Sequence, residues 1–332
     1  MSDIEIRFDG QRYHWWQRAD IRASVDDLCA SIQLGVTLPG TGDNLGITAN
    51  SVIDVLIDEQ LVYRTRVDSL TRSVGRDSHD ISITGRSLGR ELVDCQYSQT
   101  LSGLSLGEIA KRLCSAFKVP LKIAAKTVAV PEFSMQCESP ANALINAARA
   151  ANLLLHATPD GGVILTKPTS APPVCALRYG ENILDYEITD EFQQRFSEYC
   201  VKGADYDGNS NAAYSSRARD AGIGFYRPMQ IMADKHGRGQ GGCERRAIAE
   251  RNRRRARAHR IELTVHGWQY PGRQNTWPLW DINTQVRAVI PPEKIDAVFL
   301  IGERSFRLDE QGGQLTRLTL MDRAAYAEGG SD

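Results

Sequence analysis

Gly85-Arg86-Ser87-Leu88-Gly89 has the G-x-S-x-G spacing of a nucleophile elbow, where a serine on a tight strand-to-helix turn attacks an acyl carbon. That chemistry needs a parallel sheet alternating with helices, and the glycines let neighbouring elements approach the turn. Here the flanks read as antiparallel strands, and Arg90 to Gln99 is too short a stretch for a long helix. A strand exit accounts better for Ser87 than a catalytic serine does. His236-Gly237-Arg238-Gly239-Gln240-Gly241-Gly242 has the glycine density of a phosphate loop. It lacks a G-K-[ST] ending and does not complete G-x-G-x-x-G, so it reads as a loop before a helix.

The strongest chemical signal is charge. Glu244 to Arg260 reads as a helix carrying Arg245, Arg246, Arg251, Arg253, Arg254, Arg255, Arg257 and Arg260 against two glutamates. Its local charge is +6 in a chain of net charge −1, which leaves −7 elsewhere. Such a stripe gains affinity for phosphates by releasing condensed counterions. The arginines surround the helix, however, and few aromatics interleave with them. Intersubunit pairing with an acidic surface is an equally physical reading, and a solvated face is the third. These eight arginines are the candidate interface or channel residues.

Other candidates are weaker. Trp15-Trp16 and Trp268, Trp277 and Trp280, near Pro271 and Pro278, suit core or interface packing better than a ligand platform. Asp26 and Asp27 are adjacent, so their side chains point apart and form no catalytic dyad. The seven cysteines are odd in number and contain no C-x-x-C, which argues against a disulfide framework and a zinc site. The six histidines form no H-E-x-x-H. No catalytic residue, metal or cofactor is expected.

The elements that must carry these residues follow from periodicity. Residues 1–98 read as short strands: Ile4 to Phe8, the turn Asp9-Gly10, Gln11 to Tyr13, Ser31 to Leu38, Val52 to Ile57, Leu61 to Val67 and Asp80 to Gly85. Residues 99–170 form a small α/β unit. Ser105 and Glu108 fit a capping box before one helix, and Ser139 with Pro140 starts another. A hairpin over Leu153 to Thr166 and the linker Pro168 to Pro173 follow. Residues 171–332 return to strands: Ile183–Ile188, Arg195–Lys202, Met229–Ala233, Ile261–Val265, Thr284–Ile290, Ala297–Ile301 and Leu315–Leu320, with Asp205 to Ala221 as a polar loop. The expected class is mainly β (α+β), with two antiparallel barrel-like domains and a small α/β domain between them. Length, 42% apolar and 24% charged residues fit several folded domains. No apolar run is long enough to span a membrane, and the acidic start carries no visible secretory signal, so folding in the cytoplasm is expected.

The order of segments resembles the Mu-type phage tail protein P family, related to the late-control protein D family and the baseplate hubs of contractile tails. The residues that carry it are Ile6 to Tyr13, Ile83 to Ser87 with Leu92-Val93-Asp94, Leu104 to Ala110 and Ser139 to Leu144. Asp160 to Leu165, Trp277 to Asn283 and Leu315 to Leu320 complete it. The resemblance implies a structural, non-enzymatic subunit of a phage or prophage virion, assembled in the bacterial cytoplasm. It implies a homotrimer whose two barrel-like domains per subunit make a pseudo-sixfold ring between a hexameric tail tube and a trimeric spike. Other baseplate proteins and the tape measure are further implied partners, with DNA only in transit and no membrane anchor. The arginine density of the 244–260 helix departs from the family pattern, and reversing charges among Arg251–Arg257 is expected to impair assembly while leaving the isolated fold intact. The alternatives are a nucleic-acid-binding protein acting through that helix, and a serine hydrolase using Ser87.

Overall fold

Alternating apolar residues become strands along most of the chain. The computed structural model describes residues 3–14, 16–38, 45–75, 79–207, 210–233, 240–272, 274, 276–309 and 312–326. The first segment holds β1 (Ile4–Phe8), β2 (Gln11–Tyr13), β3 (Arg18–Ser24), β4 (Ser31–Leu38), β5 (Val52–Ile57), β6 (Gln60–Val74) and β7 (His79–Ser87). The second holds α1 (Arg90–Asp94), β8 (Tyr97–Ser105), α2 (Leu106–Ala116), β9 (Leu121–Ile123), β10 (Ala129–Glu138), α3 (Pro140–Ala150), β11 (Leu154–Ala157) and β12 (Val163–Thr166). The third begins with β13 (Ala176–Arg178), β14 (Ile183–Asp190), β15 (Glu198–Asp207), β16 (Ser210–Arg219) and β17 (Pro228–Met232). It continues with α4 (Gln240–Ala258), β18 (His259–His266), β19 (Gln285–Ile290), β20 (Ile295–Asp309) and β21 (Gly313–Met321).

The fold is mainly β, as the patterning predicts, but the two β segments are joined. One large sheet runs β14-β18-β21-β20-β3-β4-β7-β6-β5-β1-β2, with β19 and β13 branching from β20. The seam is the antiparallel pair β3–β20, in register from Glu303↔Ser24 to Leu308↔Ala19. Two separate barrels are therefore not what forms among the described residues, because β3 bridges the halves. The sheet curls strongly. Tyr63 on β6 lies four strand intervals from Arg304 on β20, which would be about 19 Å across a flat sheet. The Arg304 guanidinium nevertheless donates to the Tyr63 hydroxyl at 3.1 Å. Inside this curve a single core joins Ile6, Ile21, Ile53 and Ile83 to Leu263, Trp268, Phe306 and Leu320. Burial of so much aliphatic surface is the main force holding the halves together.

The α/β lobe has its own core, built from Leu106, Ile109 and Leu113 of α2 with Leu144 and Ala148 of α3 and Leu155, Val163 and Leu165 of the hairpin. Both helices start as their sequences predict. The Ser105 hydroxyl caps the Glu108 amide while Glu108 returns to the Ser105 amide at 2.8 Å, and Ser139 caps Asn142 ahead of Pro140. The Pro159–Gly162 turn presses this lobe on β6: the Arg64 amide donates to the Pro159 carbonyl at 2.8 Å. Gly161 has φ +84°, and a Cβ there would lie 2.6 Å from the Arg64 carbonyl oxygen. Only glycine meets both demands.

One expectation fails in the third segment. Asp205 to Ala221 is mostly strand, not loop: β15 and β16 pair without a break from Glu198↔Arg219 to Asp207↔Ser210. β17 adds in parallel to β15. The stretch reads as polar because only one face of this three-stranded sheet is covered. Val201 and Ala218 there meet Cys243 and Ala247 of α4.

Candidate interface: the arginine helix and the Asp26 clamp

α4 begins at Gln240 and ends at Ala258, so Arg260 stands on β18 and not on the helix. Its small residues Cys243, Ala247, Ala249 and Ala256 are buried, which lets the helix axis sit close to the sheet. The arginines must then reach sideways. Arg253 and Arg254 both donate to Glu250, at 3.2 and 2.7 Å, one turn back on the same helix. Arg254 also donates to the Gln194 carbonyl and stacks over the Phe196 ring at 5.3 Å. Arg251 donates to the Asn252 side chain and the Arg219 carbonyl. Arg260 lies 3.8 Å from Glu191. Arg245 and Arg255 are exposed, and Arg246 is half-buried.

Arg257 leads to the least anticipated part of the site. Its Nη2 donates to Asp26 Oδ1 at 3.1 Å, and Arg149 Nη2 of α3 donates to the same oxygen at 3.1 Å. The Tyr326 hydroxyl donates to Asp26 Oδ2 at 2.8 Å. One carboxylate in the turn between β3 and β4 thus ties together the α/β lobe, the arginine helix and the C-terminal turn. Adjacent Asp27 is exposed, as the opposed directions of neighbouring side chains require.

The electrostatics follow from this geometry. Burial disfavours the Asp26 charge, but Arg257, the Tyr326 hydroxyl and Arg149 outweigh it and hold the carboxyl below its usual range. Glu250 behaves alike: burial opposes its charge, and Arg254 and Arg253 overcome it. Arg253 is pushed down to about 10, chiefly by burial and further by Arg149, Arg246 and Arg257, against the pull of Glu250. The Tyr326 hydroxyl is raised by burial and by Asp26. Beside the helix end lies a cleft of about 430 Å³ lined by Arg22, Arg254, Arg257 and Arg260, but also by Asp26, Asp27, Glu191, Glu262 and Glu303. Cations and carboxylates alternate there, so the cleft is no phosphate trough.

The remaining sequence candidates separate. Ser87 is fully buried on β7, where its hydroxyl accepts from the Ala30 amide at 3.2 Å and its own amide donates to the Ala30 carbonyl at 2.9 Å. That is sheet architecture, and α1 beyond it has only five residues. Trp16, Trp268 and Trp280 are core residues, Trp268 donating to the Arg307 carbonyl at 3.1 Å, while Trp277 is exposed. Trp15 and residues 236–239 lie outside the described residues, and Gly241 and Gly242 form the first turn of α4. Among the described residues no group of His, Cys, Asp and Glu could hold a metal ion, and no helix is long and apolar enough to cross a membrane.

Comparison with known proteins gives three successive family matches. Residues 3–87 match the N-terminal domain of Mu phage baseplate assembly protein GpP-like proteins, and residues 90–167 match the second domain of baseplate hub protein gp44-like proteins. Residues 241–328 match the fourth domain of Mu phage baseplate assembly protein GpP. The chain is 28% identical to the baseplate hub protein gp44 of Escherichia phage Mu, over 98% of this chain and 89% of that protein. Its fold is similar to that of the 43 kDa tail protein of prophage MuSo2 from Shewanella oneidensis, with TM-score 0.87, 23% identity, and coverage of 98% of this chain and 100% of that one. A tail protein from Neisseria meningitidis MC58 matches with TM-score 0.86 and 22% identity over 98% of both chains. In sequence order and over nearly its whole length, the chain therefore belongs to the family of Mu-type phage baseplate hub proteins.

Proposed function

We propose that three copies of this chain close into a ring at the end of a contractile tail, between the hexameric tail tube and a trimeric central spike. The observation that carries this reading is the pairing of two curled β halves across the β3–β20 seam within one subunit. Two β halves per chain present six similar rims in a trimer, which is what a sixfold tube requires on one side and a threefold spike on the other. Segments 1–98, 99–170 and 171–332 are the units of each subunit in this reading, with the Asp26 clamp fixing their mutual placement. A ring that bears load benefits from such fixed placement, because a tilt between halves would spoil the match of all six rims.

The role is structural. Tube protein, spike protein, other baseplate proteins and the tape measure are the partners, and DNA passes through the central opening. Of the eight candidate arginines, Arg245 and Arg255 are the exposed ones, placed to serve a neighbour or the channel. The nucleic-acid reading draws no support from Arg253, Arg254 and Arg257, whose guanidiniums are committed within the chain. Charge reversal among Arg251–Arg257 is therefore expected to weaken the fold itself as well as assembly. Reconstitution tests the junction: purified chain mixed with tube and spike proteins should produce tubes capped at one end and carrying the spike. Tubes and spikes that stay apart in its presence would overturn the joining role.

A further inference from the structure

The three-stranded sheet β16-β15-β17 has one face under α4 and, among the described residues, one face open. The open face carries Lys202, Arg217, Arg219 and Met232, all exposed, with Met232 at 72%. At its rim, directly before β17, Phe225 and Tyr226 are 64% and 81% exposed, and the neighbouring Arg227 lies over the Phe196 ring at 5.0 Å. Large aromatics beside arginines have the composition of an interface core and are costly to leave in water. Among the described side chains of that face, Lys202, Arg217 and Arg219 are opposed by half-buried Glu198, which pairs in register with Arg219; the +6 of residues 244–260 belongs mainly to α4 on the covered side.

An acidic counterpart stands at the end of the large sheet. β14 pairs with β18 on one side, while its other side makes only the isolated Tyr179–Ile183 bridge among the described residues. It exposes Leu184, Asp185, Glu187 and Asp190. We propose that the open face of β16-β15-β17, with Phe225 and Tyr226, docks on the acidic β14 edge of a second copy of this chain. Two different patches meeting head to tail generate a closed ring when the rotation allows it. Opposite charges steer the encounter, and the aromatics supply the desolvated centre. The proposal rests on the ring reading above and assigns it a surface.

The test is sedimentation of the full chain over a concentration series, for the wild type and four variants. Arg217→Glu with Arg219→Glu reverses the face, and Asp185→Lys with Glu187→Lys reverses the strand. All four side chains are exposed, and far-UV circular dichroism checks that each variant keeps its fold. Each reversal is expected to weaken self-association at least about tenfold, and the chain carrying both reversals should recover it. Phe225→Ala with Tyr226→Ala should weaken it without changing charge. Variants that assemble like the wild type would overturn this surface and leave the ring reading standing. Failure of the combined reversal to recover would also overturn the pairing. A wild type that is monomeric throughout would overturn both readings. Unchanged assembly with salt-dependent DNA binding lost on reversing Arg217 and Arg219 would assign the face to nucleic acid instead.

Discussion

Replacing Asp26 by alanine should loosen three parts of the molecule at once. The carboxylate accepts from two guanidiniums and a tyrosine hydroxyl, and its side chain is 20% exposed. Removing one member of a well-buried ion pair costs about 3–5 kcal/mol, because the partner charge is stranded. Arg149 and Arg257 are 27% and 39% exposed, so water can partly rehydrate them. That places the expected loss below this range, at about 2–3 kcal/mol. For a 332-residue chain melting as one unit, the unfolding entropy is near 0.7 kcal/mol/K, and the melting temperature should fall by about 3–4 °C. Asp27→Ala is the control and should stay within about 0.5 kcal/mol, since Asp27 is exposed. Hydrogen exchange should localise the effect: faster exchange in α3, in the last turns of α4 and around Tyr326, with the centre of the large sheet unchanged. A melting temperature within 1 °C of wild type, with no change in exchange at those three places, would refute the clamp.

Other outcomes follow from the same contacts. Asp26 and Glu250 titrate below their usual range when folded, so the unfolded chain binds more protons as the pH falls. Their stabilisation is complete above the ordinary carboxylate range and is lost as the pH falls through the lowered folded values. The stability gap between wild type and Asp26→Ala should therefore narrow on acidification, and a gap that widens in denaturant titrations at pH 3.5 would contradict the assignment. Tyr326→Phe removes one hydrogen bond to Asp26 and should cost about 1 kcal/mol by chemical denaturation. Ser87→Ala should cost a similar amount through the lost bond to the Ala30 amide, while turnover of activated esters by the purified chain stays unchanged.

Local signals in the sequence predict the structure where the physics is local. The Asp9-Gly10 turn has both residues at positive φ, the capping box at Ser105 and Glu108 is present, and Pro140 opens α3. Periodicity does not reveal β3, because its inward residues include Ala19 and Ala23, whose small side chains leave a weak period-2 pattern. That strand is the seam, and without it one curled sheet reads as two barrels. Nor does it reveal β8 and β10, because β8 exposes Ser98, Thr100, Ser102 and Gly103, which read as a loop, and Pro131 interrupts the pattern of β10. The arginine run was visible, but its purpose was not. Asp26 meets Arg149, Arg257 and Tyr326 at separations of 123, 231 and 300 residues, and no local pattern announces such contacts. Glu250, three and four residues before Arg253 and Arg254, was the one part of that network a helical wheel could have shown.

Electron microscopy of the purified chain at high concentration tests the threefold ring most directly. Class averages should show threefold particles with an open centre and six peripheral lobes, two from each subunit. Compact monomers or closed twofold dimers at every concentration would rule out the ring.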